Sequence, residues 1–360
     1  MNKKKQVLQI ISRLDSGGAE KVFVDICNML NRHGYDVTIL YTRSPGELSK
    51  LLNKNIDQIS LNRNSRFNFL VIFKFINIVK NHRTVHIHLR NTFFFSKILM
   101  SLIPNRSWNI VFHDHFGTID VDKKVPLLFK ILKKNYKYVG VSETLCNWAR
   151  ENLSGINGVF NLPNIRLIEE PINYYVPKDK YKKETTLKMI QVSNIHPIKN
   201  IEHSIKIISE IKKTINVHLT IYGFKANTQY YNNLIRLIKS LELDNHIDFI
   251  HNEMDIPSVL PNYHFGLYTS RSESGPLVLI EYLSRGLPFL SFNTGEVVKQ
   301  LKNDFPQFII NNFNVNEWVE CIFTLINKDY DAKTMVQFYH DNFSETRYLK
   351  RLINIYEHKL

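Results

Sequence analysis

Cysteine is scarce in this chain of 360 residues: Cys27, Cys146 and Cys321 are the only three, and they lie far apart. They offer neither a disulfide framework nor a metal-ligand spacing, and a reducing, cytoplasmic compartment suits them. Uncharged apolar runs of about 18 residues are missing as well, which argues against a transmembrane helix. The opening M-N-K-K-K-Q-V-L-Q-I-I has an apolar run too short for a signal peptide and no cleavage site, so it reads as a strand. No G-x-G-x-x-G follows it, which speaks against a dinucleotide enzyme. Helix-turn-helix, zinc and base-stacking motifs are also lacking, and no nucleic-acid partner is expected despite the basic charge.

The composition that remains, 44% hydrophobic over 360 residues, can bury two ordinary cores. Nearly all of the formal charge of +14 sits in the first half. Residues 1–165 carry 24 Lys and Arg against 11 Asp and Glu, a net of +13, and residues 166–360 carry 23 against 22. Such a half attracts something anionic, such as phospholipid headgroups or a polyprenyl diphosphate. Two of its segments mix basic and apolar residues. Residues 66–83 read either as a core helix or as a helix lying on a membrane. In residues 121–138, Lys123, Lys124, Lys130, Lys133, Lys134 and Lys137 flank Leu127, Leu128, Phe129, Ile131 and Leu132. That pattern fits a solvated lysine face or, more sharply, an anionic membrane contact.

Strand and helix signals alternate along the chain. A strand over residues 6–11 runs into S-G-G-A-E-K and a helical pattern, so Gly17 and Gly18 fall in a strand-to-helix loop where a backbone can approach an anion. Residues 36–41 form a second strand. W-N-I-V-F at 108–112 is a strand whose carboxyl end delivers His113, Asp114 and His115, and ligands of open parallel sheets sit outside such ends. As metal ligands these would need a further partner that the sequence does not place. Residues 166–185 are polar and aperiodic, as a linker would be. Strands then resume at 187–194, 217–222 and 248–250, and residues 345–360 have helical spacing.

The densest signal is residues 264–295. A short apolar strand ends at small polar residues, Pro276 takes a first helical position, a nearly all-apolar helix runs to about Arg285, and Gly286 stops it. Glu281 is the only charge in that helix, and a buried carboxylate needs a partner; the vicinal hydroxyls of a ribose would suit. Glu273 precedes the helix, whose first N–H groups at Gly275, Leu277 and Val278 could receive a phosphate. A capping Glu273 and a salt-bridged Glu281 on a plain helix would account for the same residues.

Set in S-x-x-E-S-G-P-x-x-x-x-E and followed by G-L-P, Glu273 and Glu281 resemble the E-x7-E motif of the family 4 retaining glycosyltransferases. S-G-G-A-E-K, the pair His113-Asp114, Y-V-G-V-S-E at 138–143, L-P-N at 162–164 as a last strand, and D-F-I-H at 248–251 are similar to further parts of that family. The resemblance implies an α/β GT-B fold, two doubly wound Rossmann-like domains facing each other across a cleft. Residues 1–165 would form the acceptor side, 186–344 the nucleotide-sugar side, and 345–360 a helix returning to the first domain. It implies a metal-independent, cofactor-free hexosyl transfer from a nucleotide sugar, with a UDP-sugar favoured. Lys199 would neutralise the donor diphosphate, with Gly17, Gly18, Ser274, Gly275, Pro276 and Leu277 around the donor. Glu281 would hold the ribose and His251 would lie beside the base. Glu273 would orient the sugar, with His113 or His115 contacting it. The sequence departs from the family at Asn194, where an Arg is usual; Arg271 is the neighbour able to supply that charge. The implied acceptor is a glycan or a polyprenyl-diphosphate-linked sugar in surface-polysaccharide synthesis at the inner face of the cell membrane. A non-catalytic accessory subunit, a nucleotide-sugar epimerase and a phosphorylase share the architecture.

Overall fold

The computed structural model describes residues 5–358 apart from 16, 64–68, 104–105, 169–184, 252, 254 and 329–330. Most of the expected linker therefore lies outside the described residues. By its internal contacts the chain divides into two units, Met1–Ile165 with Glu345–Leu360, and Arg166–Ser344.

The first unit is built on seven parallel strands: β1 Gln6–Ile11, β2 Asp36–Tyr41, β3 Asp57–Ser60, β4 Thr84–His88, β5 Asn109–Asp114, β6 Lys137–Gly140 and β7 Val159–Asn161. Their order is β3-β2-β1-β4-β5-β6-β7. Helices cover both faces of a parallel sheet, so its central strands are apolar almost throughout; Val7, Leu8, Ile10 and Ile11 of β1 are fully buried. Helix Gly18–Arg32 turns Val22, Phe23, Ile26, Met29 and Leu30 inward at helical spacing. The C-terminal helix Glu345–Glu357 belongs to this unit and buries Tyr348, Leu349, Leu352, Ile355 and Tyr356. Arg32 pairs with Glu345 at 2.7 Å, and Lys137 Nζ donates to the Ile355 carbonyl at 2.8 Å.

That last contact corrects a reading of the sequence, because Lys137 is a buried strand residue and no part of a basic face. Its neighbours form only a short helix, Leu127–Ile131, with Phe129 in the core and Leu127 and Ile131 about two-thirds exposed. L-P-N at 162–164 follows the last strand rather than forming it, since β7 ends at Asn161. Of the segment 66–83, residues 66–68 lie outside the described residues. Helix Phe69–Lys80 buries Val71, Phe75 and Val79 and leaves Phe69, Leu70 and Phe73 exposed at 78%, 79% and 65%. It is half core and half apolar surface.

The second unit has six parallel strands: β8 Leu187–Val192, β9 Val217–Tyr222, β10 Ile247–Ile250, β11 Phe265–Tyr268, β12 Phe289–Phe292 and β13 Ile309–Ile310. Their order is β10-β9-β8-β11-β12-β13. One continuous core joins these strands to helices Ile201–Ile211, Leu277–Ser284, Val315–Asn327 and Ala332–Phe343, with Trp318 fully buried. Both units are doubly wound Rossmann-like sheets. No helix among the described residues is long and apolar enough to cross a membrane.

Candidate functional site

In the second unit the winding reverses between β8 and β11, and such a switch point opens a crevice at the carboxyl ends of the strands. The loops after these two strands are laced together there. Gln191 Nε2 donates to Thr269 Oγ1 at 3.1 Å, Thr269 Oγ1 donates to the Lys199 carbonyl at 3.0 Å, and the Arg271 N–H donates to the Ile198 carbonyl at 2.8 Å. Lys199 Nζ makes a direct ion pair with the Glu273 carboxylate, both side chains about four-fifths buried. Burial lowers Lys199 to about 8, while the anion beside it favours the charged form.

Arg271 turns its guanidinium to Asn200 Oδ1 at 2.7 Å and Glu202 Oε1 at 3.4 Å, over the Phe313 ring. Its charge is therefore shared with Glu202. Asn194 lies half-buried in the same loop, which is packed tightly against the end of β9. A Cβ on Gly223 would come within 1.9 Å of the Ser193 carbonyl oxygen.

The E-S-G-P segment is held from behind. Thr294 Oγ1 accepts from the Glu273 N–H at 3.3 Å, and the Glu296 N–H donates to the Ser274 carbonyl at 2.9 Å. Gly295 has a φ of +87°, and a Cβ there would meet Pro276 Cδ at 2.7 Å. Helix Leu277–Ser284 follows, buried from Val278 onward, with its first N–H groups at the loop.

Glu281, on that helix, is 5% exposed. Its partner is Arg166, whose Nε donates to Oε1 at 2.8 Å. The polar segment expected to be linker thus begins with a buried residue. Arg166 Nη1 also donates to the Leu167 carbonyl, and the Tyr339 hydroxyl donates to the Arg166 carbonyl at 3.1 Å. His251 lies farther along the sheet after β10, in hydrogen-bond reach of the Gly223 carbonyl at 2.9 Å and beside Phe249 and Tyr231.

In the first unit the reversal falls between β1 and β4. Gly17 is the N-cap of helix Gly18–Arg32, and the Glu20 side chain packs against it so closely that a Cβ at Gly17 would collide with the carboxylate. Burial raises the Glu20 carboxyl above its ordinary range. His113 and Asp114 lie inside β5 rather than beyond it: His113 is fully buried and His115 is partly exposed. Asp114 accepts from Arg90 Nε at 2.9 Å, the Tyr138 hydroxyl at 2.7 Å and the Phe116 N–H at 3.1 Å. Arg90 is in turn packed on Phe116 and Trp148.

Beneath His113 lies a layer that the sequence reading missed. His86 and His88 alternate along β4, so both face the same side of the sheet. A hydrogen-bonded chain runs through the layer, with tautomers assigned from the network. His115 Nε2 donates to His88 Nδ1 (3.3 Å), His88 Nε2 to Gln9 Oε1 (3.1 Å), Gln9 Nε2 to the Tyr356 hydroxyl (3.1 Å), and that hydroxyl to His86 Nδ1 (2.8 Å). Burial depresses all four imidazoles far below the usual histidine range, His86 and His115 to about 3, so they are neutral at pH 7. Ring nitrogens of His86, His88 and His113 come within 4.8 Å of one another. The set lacks a carboxylate, because Asp114 is committed to Arg90 and Tyr138, and the rings of His86 and His113 stack. The alternation T-V-H-I-H was the available signal for these residues; Arg166 had none.

Two family descriptions match the sequence, Glycosyltransferase Family 4 over residues 16–158 and Glycosyl transferases group 1 over residues 176–339. A Haemophilus influenzae protein described as an uncharacterized glycosyltransferase is 24% identical over 320 residues, covering 87% of each chain. Among solved structures, Anabaena HepE in complex with UDP superposes with a TM-score of 0.74 at 15% identity, covering 97% of this chain and 98% of that one. A mutant of S. aureus TarM in complex with fondaparinux, α-GlcNAc-glycerol and UDP superposes with a TM-score of 0.77 at 11% identity, covering 98% and 100%. With both sheets wound in this way and most of its length matched, the chain belongs to the family 4 glycosyltransferases of the GT-B fold.

Proposed function

We propose that this glycosyltransferase moves a hexose, with retention, from a nucleotide sugar to a glycan or lipid-linked acceptor. The observation that carries the reading is the Lys199–Glu273 pair at the switch point of the second unit, ahead of the helix that holds Glu281. A lysine and a helix N-terminus together offer the positive potential a departing diphosphate needs, which suits a metal-independent reaction. Glu273 then orients the sugar at the reacting carbon, and Glu281 accepts from the ribose hydroxyls. His115 is the histidine with solvent access, and it stands at the head of the chain of imidazoles that includes His88. UDP is the favoured nucleotide because HepE and TarM are both seen with UDP.

The acceptor reading rests on the first unit. The net charge of +13 on residues 1–165 and the exposed Phe69, Leu70, Phe73, Leu127 and Ile131 support a peripheral contact with an anionic membrane, and with it a polyprenyl-linked acceptor in surface-polysaccharide synthesis. Sedimentation with anionic vesicles that is lost in Phe73→Asp and Leu127→Asp would support that contact; equal sedimentation would remove it.

A second reading, an accessory subunit without activity, has two features in its favour: Asn194 at the usual Arg position and the sharing of Arg271 with Glu202. Thermal stabilisation by UDP-, GDP- and ADP-sugars in chelator separates the two, since a ligand at 100 times its Kd adds about 2.7 kcal/mol. Stabilisation by one sugar nucleotide, lost in Glu281→Ala, supports the enzyme; no response to any of them supports the subunit.

A further inference from the structure

The reading of Glu281 as the ribose carboxylate leaves a physical question, because a carboxylate 5% exposed needs a hydrogen-bonded partner to fix its direction. Arg166 answers it. Its Nε lies 2.8 Å from Glu281 Oε1, and the two side chains are 9% and 6% exposed, so the pair is shielded from water. The guanidinium is itself fixed, by Nη1 donating to the Leu167 carbonyl at 2.9 Å. Its backbone is fixed from the other side by the Tyr339 hydroxyl on helix Ala332–Phe343, which packs along the helix that carries Glu281. One residue thus ties the start of the second unit to both helices.

We propose that Arg166 is a positioning residue for the donor nucleotide: by occupying Oε1 it holds Glu281 turned so that the carboxylate can accept from a vicinal diol. The inference rests on the donor reading above and adds to it the residue that makes the contact possible. A planar guanidinium held at several points sets the direction of a carboxylate in a way that a flexible ammonium does not.

The test isolates the diol. Affinity for UDP is compared with affinity for 2′,3′-dideoxy-UDP by calorimetry at pH 7, or with the matching GDP or ADP pair if thermal stabilisation selects that base. Hydrogen bonds from the hydroxyls to a charged group make the wild-type ratio about tenfold or more. Glu281→Gln should bring the ratio close to one. Arg166→Met should bring it close to one as well, with the donor KM raised and kcat little changed, and Arg166→Lys should recover part of the ratio. A purely structural Arg166 would lower the melting temperature in Arg166→Met while leaving the ratio at its wild-type value, and that outcome overturns the proposal. If Arg166→Met does not fold, a wild-type ratio in Arg166→Lys overturns it, and a reduced ratio there supports it. A wild-type ratio in Glu281→Gln is a different result: it removes the ribose role of Glu281, and the proposal with it.

Discussion

Acidification should destabilise the first unit through its buried imidazoles. His86, His88 and His113 are each fully buried, and burial, with the neighbouring histidines adding to it, holds all three far below an ordinary histidine, His86 at about 3. In the unfolded chain the same rings protonate near 6.5. Between that value and the folded ones the unfolded state carries more protons, so stability is lost as pH falls below about 6.5. From pH 7 to pH 5.5 the loss is about 1 kcal/mol for each ring and roughly 3–4 kcal/mol for the three. Against a domain stability of about 5–15 kcal/mol, that is a large fraction. Trp108 and Trp148 lie in the first unit and Trp318 in the second, so a Trp318→Phe variant reports the first unit alone by fluorescence. Urea unfolding of that variant at the two pH values measures the loss, and His86→Gln in the same background should shrink it by about a third. An unmoved midpoint, or NMR titration of these rings near pH 6.5, would refute the reasoning.

If Lys199 receives the donor diphosphate as proposed, donor binding should weaken on the alkaline side, because burial has lowered that lysine to about 8. UDP affinity should be level below about pH 7, fall up to about tenfold per pH unit above 8, and become weaker but level across that range in Lys199→Met; calorimetry over pH 6.5–9.5 shows whether it does. Asp114→Asn should destabilise the first unit by about 3–5 kcal/mol in urea, since it strips the largely covered Arg90 of its counter-charge at the buried Asp114. Gly295→Ala should lower kcat more than it raises the donor KM, because a Cβ at φ +87° pushes on Pro276 and the Glu273 carbonyl; steady-state kinetics with unchanged kcat would contradict that.

Local pattern alone was enough for much of the fold. Alternating short apolar strands and amphipathic helices define a doubly wound chain, and Gln6–Ile11, Asp36–Tyr41 and Val217–Tyr222 stand where their apolar runs place them. Such strands are buried on both faces, so the hydrophobic signal is strong and local. The loops at the switch point were legible for the same reason, since a strand's end and a helix's start mark them. What sequence could not supply was partnership across long separations. Lys137 looks like one more lysine in a basic run until β6 places it against the C-terminal helix, 218 residues away. Arg166 looks like linker until it meets Glu281, 115 residues on. His86 and His88 become a polar layer only when β4 lies beside β5 and Tyr356 closes over them. Charge and hydrogen-bond partners depend on which elements become neighbours, and that is decided by the packing of the whole sheet rather than by any local run of residues.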